Sequence, residues 1–230
     1  MKKVKDDGLF VDSAGCWAER KYDLIDQYAN MFASSMKNKW TNRIYIDLFS
    51  SSGYANIKGT SDIVMTSPLI AADVKDKFDK YIFCDCDPIK IDSLQKRVMR
   101  DFPEINAEFI IGDINYSVDD VLKRIPHFSK EFTGLTFCLV DPYKIDNLSF
   151  ETILSLSKYR IDFMILIPSF MDVNRNEKNY IKEDSNLVTK FLDANSWREL
   201  WDKTKNDGMT FGTFIVKLFN KRMGYAGFLK

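Results

Sequence analysis

Residues 44–53, IYIDLFSSSG, decide how this chain folds. Ile44, Tyr45 and Ile46 lead into Asp47, Leu48 and Phe49 follow, and the run then empties into Ser50, Ser51, Ser52 and Gly53. An apolar segment of this length, rich in residues that favour strands, fits a strand buried in a parallel sheet. The small residues after it let the backbone approach whatever binds at the strand's end. Asp47 sits just past the apolar core, placed to hold the loop amides or a cationic ligand group.

Three further apolar runs end in the same way. YIFCDCDP (81–88) ends in Asp85 and Asp87, AEFIIGD (107–113) in Asp113, and TFCLVDPY (136–143) in Asp141. One such run is an ordinary strand and turn. Four together place a single ligand crevice along the carboxyl edge of a parallel sheet.

Strands are predicted at 44–49, 81–86, 107–111, 136–140 and 161–167. Helices are predicted at 16–37, from Ser67 and Pro68 onward, and at 89–100, 117–124 and 150–158. Ser67 followed by Pro68 is a start signal, a capping hydroxyl and then proline at the first helical position. The alternation predicts a doubly wound, mostly parallel α/β sheet. Past Ser169 it stops. Residues 171–184 are polar and predict a mobile loop, followed by helical regions at 186–205 and 210–223, and 224–230 resemble the start of a further strand. The expected organisation is a flexible segment over 1–15, an α/β domain over 16–169 and a C-terminal helical appendage over 170–230. The loops at 54–66 and 171–184 are the segments expected to contact a substrate.

Composition narrows the function classes. A chain of 230 residues with 45% hydrophobic content and 18 phenylalanines can fill the core of one domain with appendages. Its 33 basic and 33 acidic residues balance, so only a local basic patch could attract nucleic acid. Cys16, Cys84, Cys86 and Cys138 lack a zinc spacing, so no metal is expected, and each is expected to be a small buried residue in a reducing compartment. The lone histidine, His127, follows a proline outside every strand end, which argues against a histidine triad. No apolar signal region and no run of eighteen apolar residues occurs, which predicts a cytoplasmic protein without a membrane partner.

The strand ends also narrow the ligand. A dinucleotide turn would carry three glycines where DLFSSSG has one, and no phosphate-binding GxxxxGK[ST] loop is present. A nucleoside without phosphate remains, and S-adenosylmethionine is the obvious candidate. Asp47 would then serve its ammonium end, directly or through the loop. Asp85, with Asp87 as the alternative, would accept both ribose hydroxyls, and Asp113 would accept from the adenine amino group. Each of these acids could instead cap a helix. Asp141, Pro142 and Tyr143 would accept a hydrogen bond from a substrate amine and stack on its ring, orienting the nitrogen for methyl transfer. The other reading of the tripeptide is a turn closing the strand.

DLFSSSG, SPLIA (67–71), CDCDP, VDPY and IDFMILIP (161–168) together resemble the three-Cys-motif partner protein (TcmP) family. That family is itself similar to the Rossmann-like, class I S-adenosylmethionine-dependent methyltransferases. The resemblance implies a cofactor turn containing Asp47, Phe49, Ser50, Ser51 and Gly53, a ribose site at Asp85 and Asp87, an adenine site at Asp113 and a catalytic loop at Asp141, Pro142 and Tyr143. Ser50, Ser51 and Ser52 stand where the family tends to have Ala-Gly-Pro. VDPY is similar to the [DNS]PP[YFW] tetrapeptide of amino-group methyltransferases acting on adenine and cytosine, without its second proline, which implies a nucleic-acid base as acceptor. The sequence stops before strands six and seven of a complete class I sheet, which implies that either a partner protein completes that edge or the edge is open. The partner label also implies a second expectation, a methyltransferase-like subunit that has lost activity and acts as a scaffold.

Overall fold

The computed structural model describes residues 2–228. The strand-forming runs pair as their apolar patterns require. Two short N-terminal strands, β1 (Lys3–Val4) and β2 (Asp12–Ala14), precede helix α1 (Ala18–Met36) and strand β3 (Asn42–Asp47). A hairpin of β4 (Tyr54–Ile57) and β5 (Ile63–Met65) leads into α2 (Ser67–Asp73). Then β6 (Lys80–Asp85), α3 (Pro88–Asp101), β7 (Ala107–Ile111), α4 (Ile114–Arg124) and β8 (Gly134–Val140) alternate, followed by α5 (Phe150–Leu156) and β9 (Ile161–Ile165).

The main sheet has the order β7-β6-β3-β8-β9, and β3 pairs parallel with β6 and with β8, as β6 does with β7. Relabelled by their order within this sheet, the strands run 3-2-1-4-5, the Rossmann-like doubly wound arrangement. The order reverses between β3 and β8, the topological switch point at which such sheets carry ligands. Side chains alternate across the sheet as the pleat demands. Tyr45, Tyr81, Phe83 and Phe137 form one aromatic layer, which Tyr28 and Phe32 of α1 cover. These four rings are fully buried, and each contributes about 1.5–3 kcal/mol through the surface removed from water.

The chain divides into two units. The first comprises residues up to Val140 with Arg160–Met164, and the second comprises Asp141–Tyr159 with the residues from Ile165 onward. The second unit contains α5, a π-helical turn at Ser169–Val173, α6 (Glu177–Tyr180), α7 (Leu187–Leu192), α8 (Trp197–Thr204) and α9 (Phe211–Tyr225). The boundary therefore falls just after β8, and not at residue 169 as the sequence pattern predicts. Residues 171–184, predicted as a mobile loop, hold buried Asp172, Val173 and Tyr180. The helical region predicted at 186–205 is two helices, because Asp193 takes a left-handed conformation (φ 47°) that ends α7. Residues 224 and 225 close α9 instead of opening a strand, and Leu229 and Lys230 lie outside the described residues.

The N-terminal segment also departs from expectation. Apart from Met1, which lies outside the described residues, residues 2–14 are not a loose tail. β1 pairs antiparallel with β5 and β2 pairs parallel with β4, so the predicted loop at 54–66 and the N-terminus together build a second sheet, ordered β1-β5-β4-β2. Two- and three-residue strands carry too little apolar pattern to be read from sequence.

What secures this segment is Arg97 on α3, whose residue is 0% exposed. Its guanidinium donates to both carboxylate oxygens of Asp7, Nε at 3.0 Å and Nη2 at 2.7 Å. Nη1 donates to the carbonyls of Phe10 at 2.8 Å and Ser52 at 2.7 Å, and the group lies 3.9 Å from the Tyr54 ring centroid. This is the bidentate geometry that makes arginine–carboxylate pairs strong. It holds the Asp7 carboxyl well below the usual carboxylate range. A depressed folded-state value means that the stabilisation is complete above the unfolded value, about pH 3.9, and is lost as pH falls towards the folded one. The urea midpoints of the parent chain and of Asp7→Asn should therefore differ by a constant amount from neutral pH to about pH 5 and converge below about pH 4. A gap that persists unchanged at about pH 2 would exclude charge as its source.

Candidate functional site

The carboxyl edge of β3, β6 and β7 gathers the predicted acids of the first unit. Asp47 is the last residue of β3 and is 0% exposed. Its Oδ2 accepts from the Tyr45 hydroxyl at 3.3 Å and its Oδ1 from the Phe49 amide at 3.2 Å. Burial, and then Asp47 itself, push the Tyr45 hydroxyl far above its ordinary range, so it stays a donor. Of the two roles foreseen for Asp47, direct contact with an ammonium group is excluded by burial. Of the loop amides, it holds that of Phe49.

The serine turn is strained and tightly bonded. Ser51 has φ 59°, a left-handed conformation that an ordinary L-residue adopts only when its surroundings impose it. Its amide donates to Asp85 Oδ2 at 2.8 Å, and its hydroxyl donates to Asp12 Oδ2. The Ser50 amide donates to the Cys84 carbonyl at 2.9 Å and the Ser52 amide to Asp12 Oδ2 at 3.3 Å. Gly53, at φ 89°, is required twice over. A side chain would be strained there, and its Cβ would lie 2.8 Å from Leu69 Cδ1. The Ser50 hydroxyl is buried with no partner among the described residues.

Asp85 ends β6 and is 8% exposed. Beyond the Ser51 amide on Oδ2, its Oδ1 accepts from the Asp87 amide at 3.0 Å. Each carboxylate oxygen offers two lone-pair sites, so each retains one for a ligand hydroxyl. Asp87 and Asp113 are N-caps. They accept from Ile89 N and Asn115 N, each at 2.9 Å, and open α3 and α4. Around them Ile89, Ile111 and Tyr116 are exposed, an apolar rim beside two carboxylates.

Sequence reasoning missed two members of this cluster. Asp12, on β2, receives the Lys90 ammonium at 2.9 Å as well as the Ser51 hydroxyl. Burial works against its ionisation, but those two donors outweigh it and keep the carboxyl below its usual range. Lys90 in turn is raised by Asp12 against the effect of its own burial. No local pattern marks Asp12, because the turn residue it accepts from, Ser52, lies 40 residues away in the chain. Cys84 is buried as predicted and Cys86 is exposed against prediction, as is Cys16. Burial and then Asp85 push the Cys84 thiol up to about 12 and raise that of Cys86, so neither is a thiolate nucleophile at neutral pH.

Asp141, Pro142 and Tyr143 begin the second unit directly after β8. Pro142 is buried and Tyr143 is 84% exposed, a ring open to stacking. The loop is pinned two residues on. Asp172, on the π-helical turn, accepts from the Ile145 amide at 3.0 Å, from the Tyr180 hydroxyl at 2.7 Å and from Asn176 Nδ2 at 2.8 Å. Asp172 thus anchors Ile145, two residues beyond the tripeptide, a role the polar sequence around it does not disclose.

No family model and no curated protein matches the chain. Among solved structures it is similar to a Legionella pneumophila (strain Philadelphia 1) protein of the family model DUF519, at 15% identity and a TM-score of 0.42, over 59% of this chain and 62% of that one. It is also similar to Arabidopsis thaliana protein arginine methyltransferase 10 in an open conformation, at 11% identity and a TM-score of 0.33, over 92% and 55% of the two chains. A third is the Trypanosoma brucei PRMT1 enzyme–prozyme heterotetrameric complex with AdoHcy, at 13% identity and a TM-score of 0.33, over 88% and 54%. The alignments thus span 62% or less of each of these chains. Among the described residues, no helix is long and apolar enough to cross a membrane.

Proposed function

We propose that this chain is an S-adenosylmethionine-dependent methyltransferase whose acceptor is an amino nitrogen of a nucleic-acid base. The observation that carries the reading is the carboxyl edge of a 3-2-1-4-5 sheet on which Asp85 joins the turn after the first strand to the start of the next helix. When bound, S-adenosylmethionine supplies an electrophilic methyl group. The residues present fit it. Asp85 keeps one acceptor site on each oxygen for a ribose diol, Ile89, Ile111 and Tyr116 offer apolar surface to an adenine, and Asp113 adds an acceptor. Asp12 already holds one ammonium, that of Lys90, and can hold the cofactor's amino group by the same chemistry.

On the acceptor side, Tyr143 offers a stacking surface and Asp141 a hydrogen-bond acceptor for a substrate amine. The resemblance to the TcmP family and to the base-methylating tetrapeptide supports the same reading. Calorimetric titration with S-adenosylhomocysteine tests it, with a dissociation constant of about 1–100 µM expected. No heat at about 1 mM ligand from a folded sample would reject it.

The second reading, an inactive subunit, is favoured by one feature. Asp12 already engages the Ser51 hydroxyl and the Ser52 amide, donors that a cofactor carboxylate would want. The same titration separates the two, since a scaffold has no need to bind the ligand.

A further inference from the structure

Within the second unit, a cavity of about 680 Å³ opens among the π-helical turn, α6, α8 and the start of α9. Its size is that of a small-molecule site. Phe170, Trp201 and Phe211 supply aromatic wall, Arg175 and Lys205 supply cations, and Glu177 supplies a carboxylate.

Two of these groups make no hydrogen bond among the described residues and are open to solvent. Trp201 is 8% exposed, yet its indole N–H makes no hydrogen bond to any described residue. Its neighbour Trp197 behaves ordinarily, with Nε1 donating to Thr189 Oγ1 at 3.0 Å. The indole nitrogen of Trp201 is not among the buried polar atoms left without a partner, so its N–H reaches solvent and is open to an occupant. The Arg175 guanidinium likewise forms no ion pair or hydrogen bond among the described residues, whereas Lys205 is held by Asp202 at 2.7 Å.

The wall is built beforehand. Asp172 fixes the turn that carries Phe170, and Asn174 Oδ1 accepts from the Gly212 amide at 2.7 Å. A Cβ at Gly212 would lie 2.6 Å from the Ser169 carbonyl oxygen, so the close approach of α9 to this turn needs glycine. Phe170 itself is 77% exposed, a flat face at the mouth.

We infer that this cavity binds one nucleotide of a single strand. The base stacks on the aromatic wall, its carbonyl accepts from Trp201, its amine donates to Glu177 and its phosphate meets Arg175. An acidic peptide would meet Glu177 with like charge and leave the aromatic wall unused. The inference rests on the proposed function for its purpose, docking of the acceptor strand, but not for its measurement.

The test uses the full chain, isotopically labelled so that each tryptophan indole N–H is a separate resonance, with Trp201→Phe assigning the one in question. Cytidine monophosphate and a pyrimidine oligonucleotide of about ten residues are titrated in low salt, with and without saturating S-adenosylhomocysteine. Both ligands should move the Trp201 indole resonance in either condition, and the oligonucleotide should bind at least about tenfold more tightly. Arg175→Glu and Phe170→Ala, both at exposed positions, should each weaken binding by about tenfold.

Equal affinity for nucleotide and oligonucleotide would reject the strand and leave a free-nucleotide site. The inference is overturned by an unmoved resonance at about 5 mM of either ligand, by affinity unchanged in both variants, or by tighter binding of a glutamate-rich peptide. Failure of S-adenosylhomocysteine to bind would count against the proposed function, while the nucleotide titration would still be read without it.

Discussion

Replacing Arg97 by methionine should lower the free energy of unfolding by about 3–5 kcal/mol, the usual effect of removing one partner from a buried pair. The loss has several sources. Asp7 is left with only the exposed Arg100 guanidinium, 2.9 Å from its Oδ2, and the carbonyls of Phe10 and Ser52 lose the donor that Arg97 gives them. The methionine fills most of the volume, so the cost comes from polar groups rather than from a void. Urea denaturation gives the magnitude, and amide exchange should show residues 2–14 opening before the main sheet. Changing Asp7 to leucine in the same chain should recover part of the loss, because no carboxylate is then left short of its buried hydrogen-bond donors. A single-variant loss below about 1 kcal/mol would mean that the clamp does little for the fold.

Asp85→Ala should have the larger effect on ligand binding. Its two oxygens hold the amides of Ser51 and Asp87, so truncation leaves both donors without acceptors and frees a residue whose φ of 59° needs support. A stability loss of about 1–3 kcal/mol is expected from the unsatisfied amides. Affinity for S-adenosylhomocysteine should fall about a hundredfold, since both the diol acceptor and the shape of the turn are lost. Asp85→Asn keeps the shape but offers one acceptor oxygen in place of two, and should lie between alanine and the parent. Unchanged affinity in the alanine variant, with the loss in stability still present, would remove Asp85 from the cofactor site and leave it a purely structural residue.

Much of the main sheet could be read in the sequence because its physics is local. Each of the runs from Ile44, Tyr81, Ala107 and Thr136 is apolar over the length of a buried strand and stops at a residue that cannot stay buried unpaired, so the strand and its end are marked together. Pro68 and Pro88 mark helix starts for an equally local reason, the missing amide hydrogen. What escaped depends on pairing across the chain. β1 and β2 are too short to carry a period, and they exist because the hairpin β4–β5 offers them edges. Asp12 and Arg97 look like any charged surface residue until the fold brings them to the serine turn. The segment with Asp172 was misread for the opposite reason: its polar composition suggests solvent, but its polar groups satisfy one another inside the second unit.

The Asp7–Arg97 pair spans 90 residues. On a ribosome that delivers the chain from its amino end, the first fourteen residues therefore emerge long before the side chain that secures them, and must wait in solvent while β3, the hairpin and β6 are made. The N-terminal strands are thus secured only once α3 has been made, and closing this long loop adds an entropic cost to their docking.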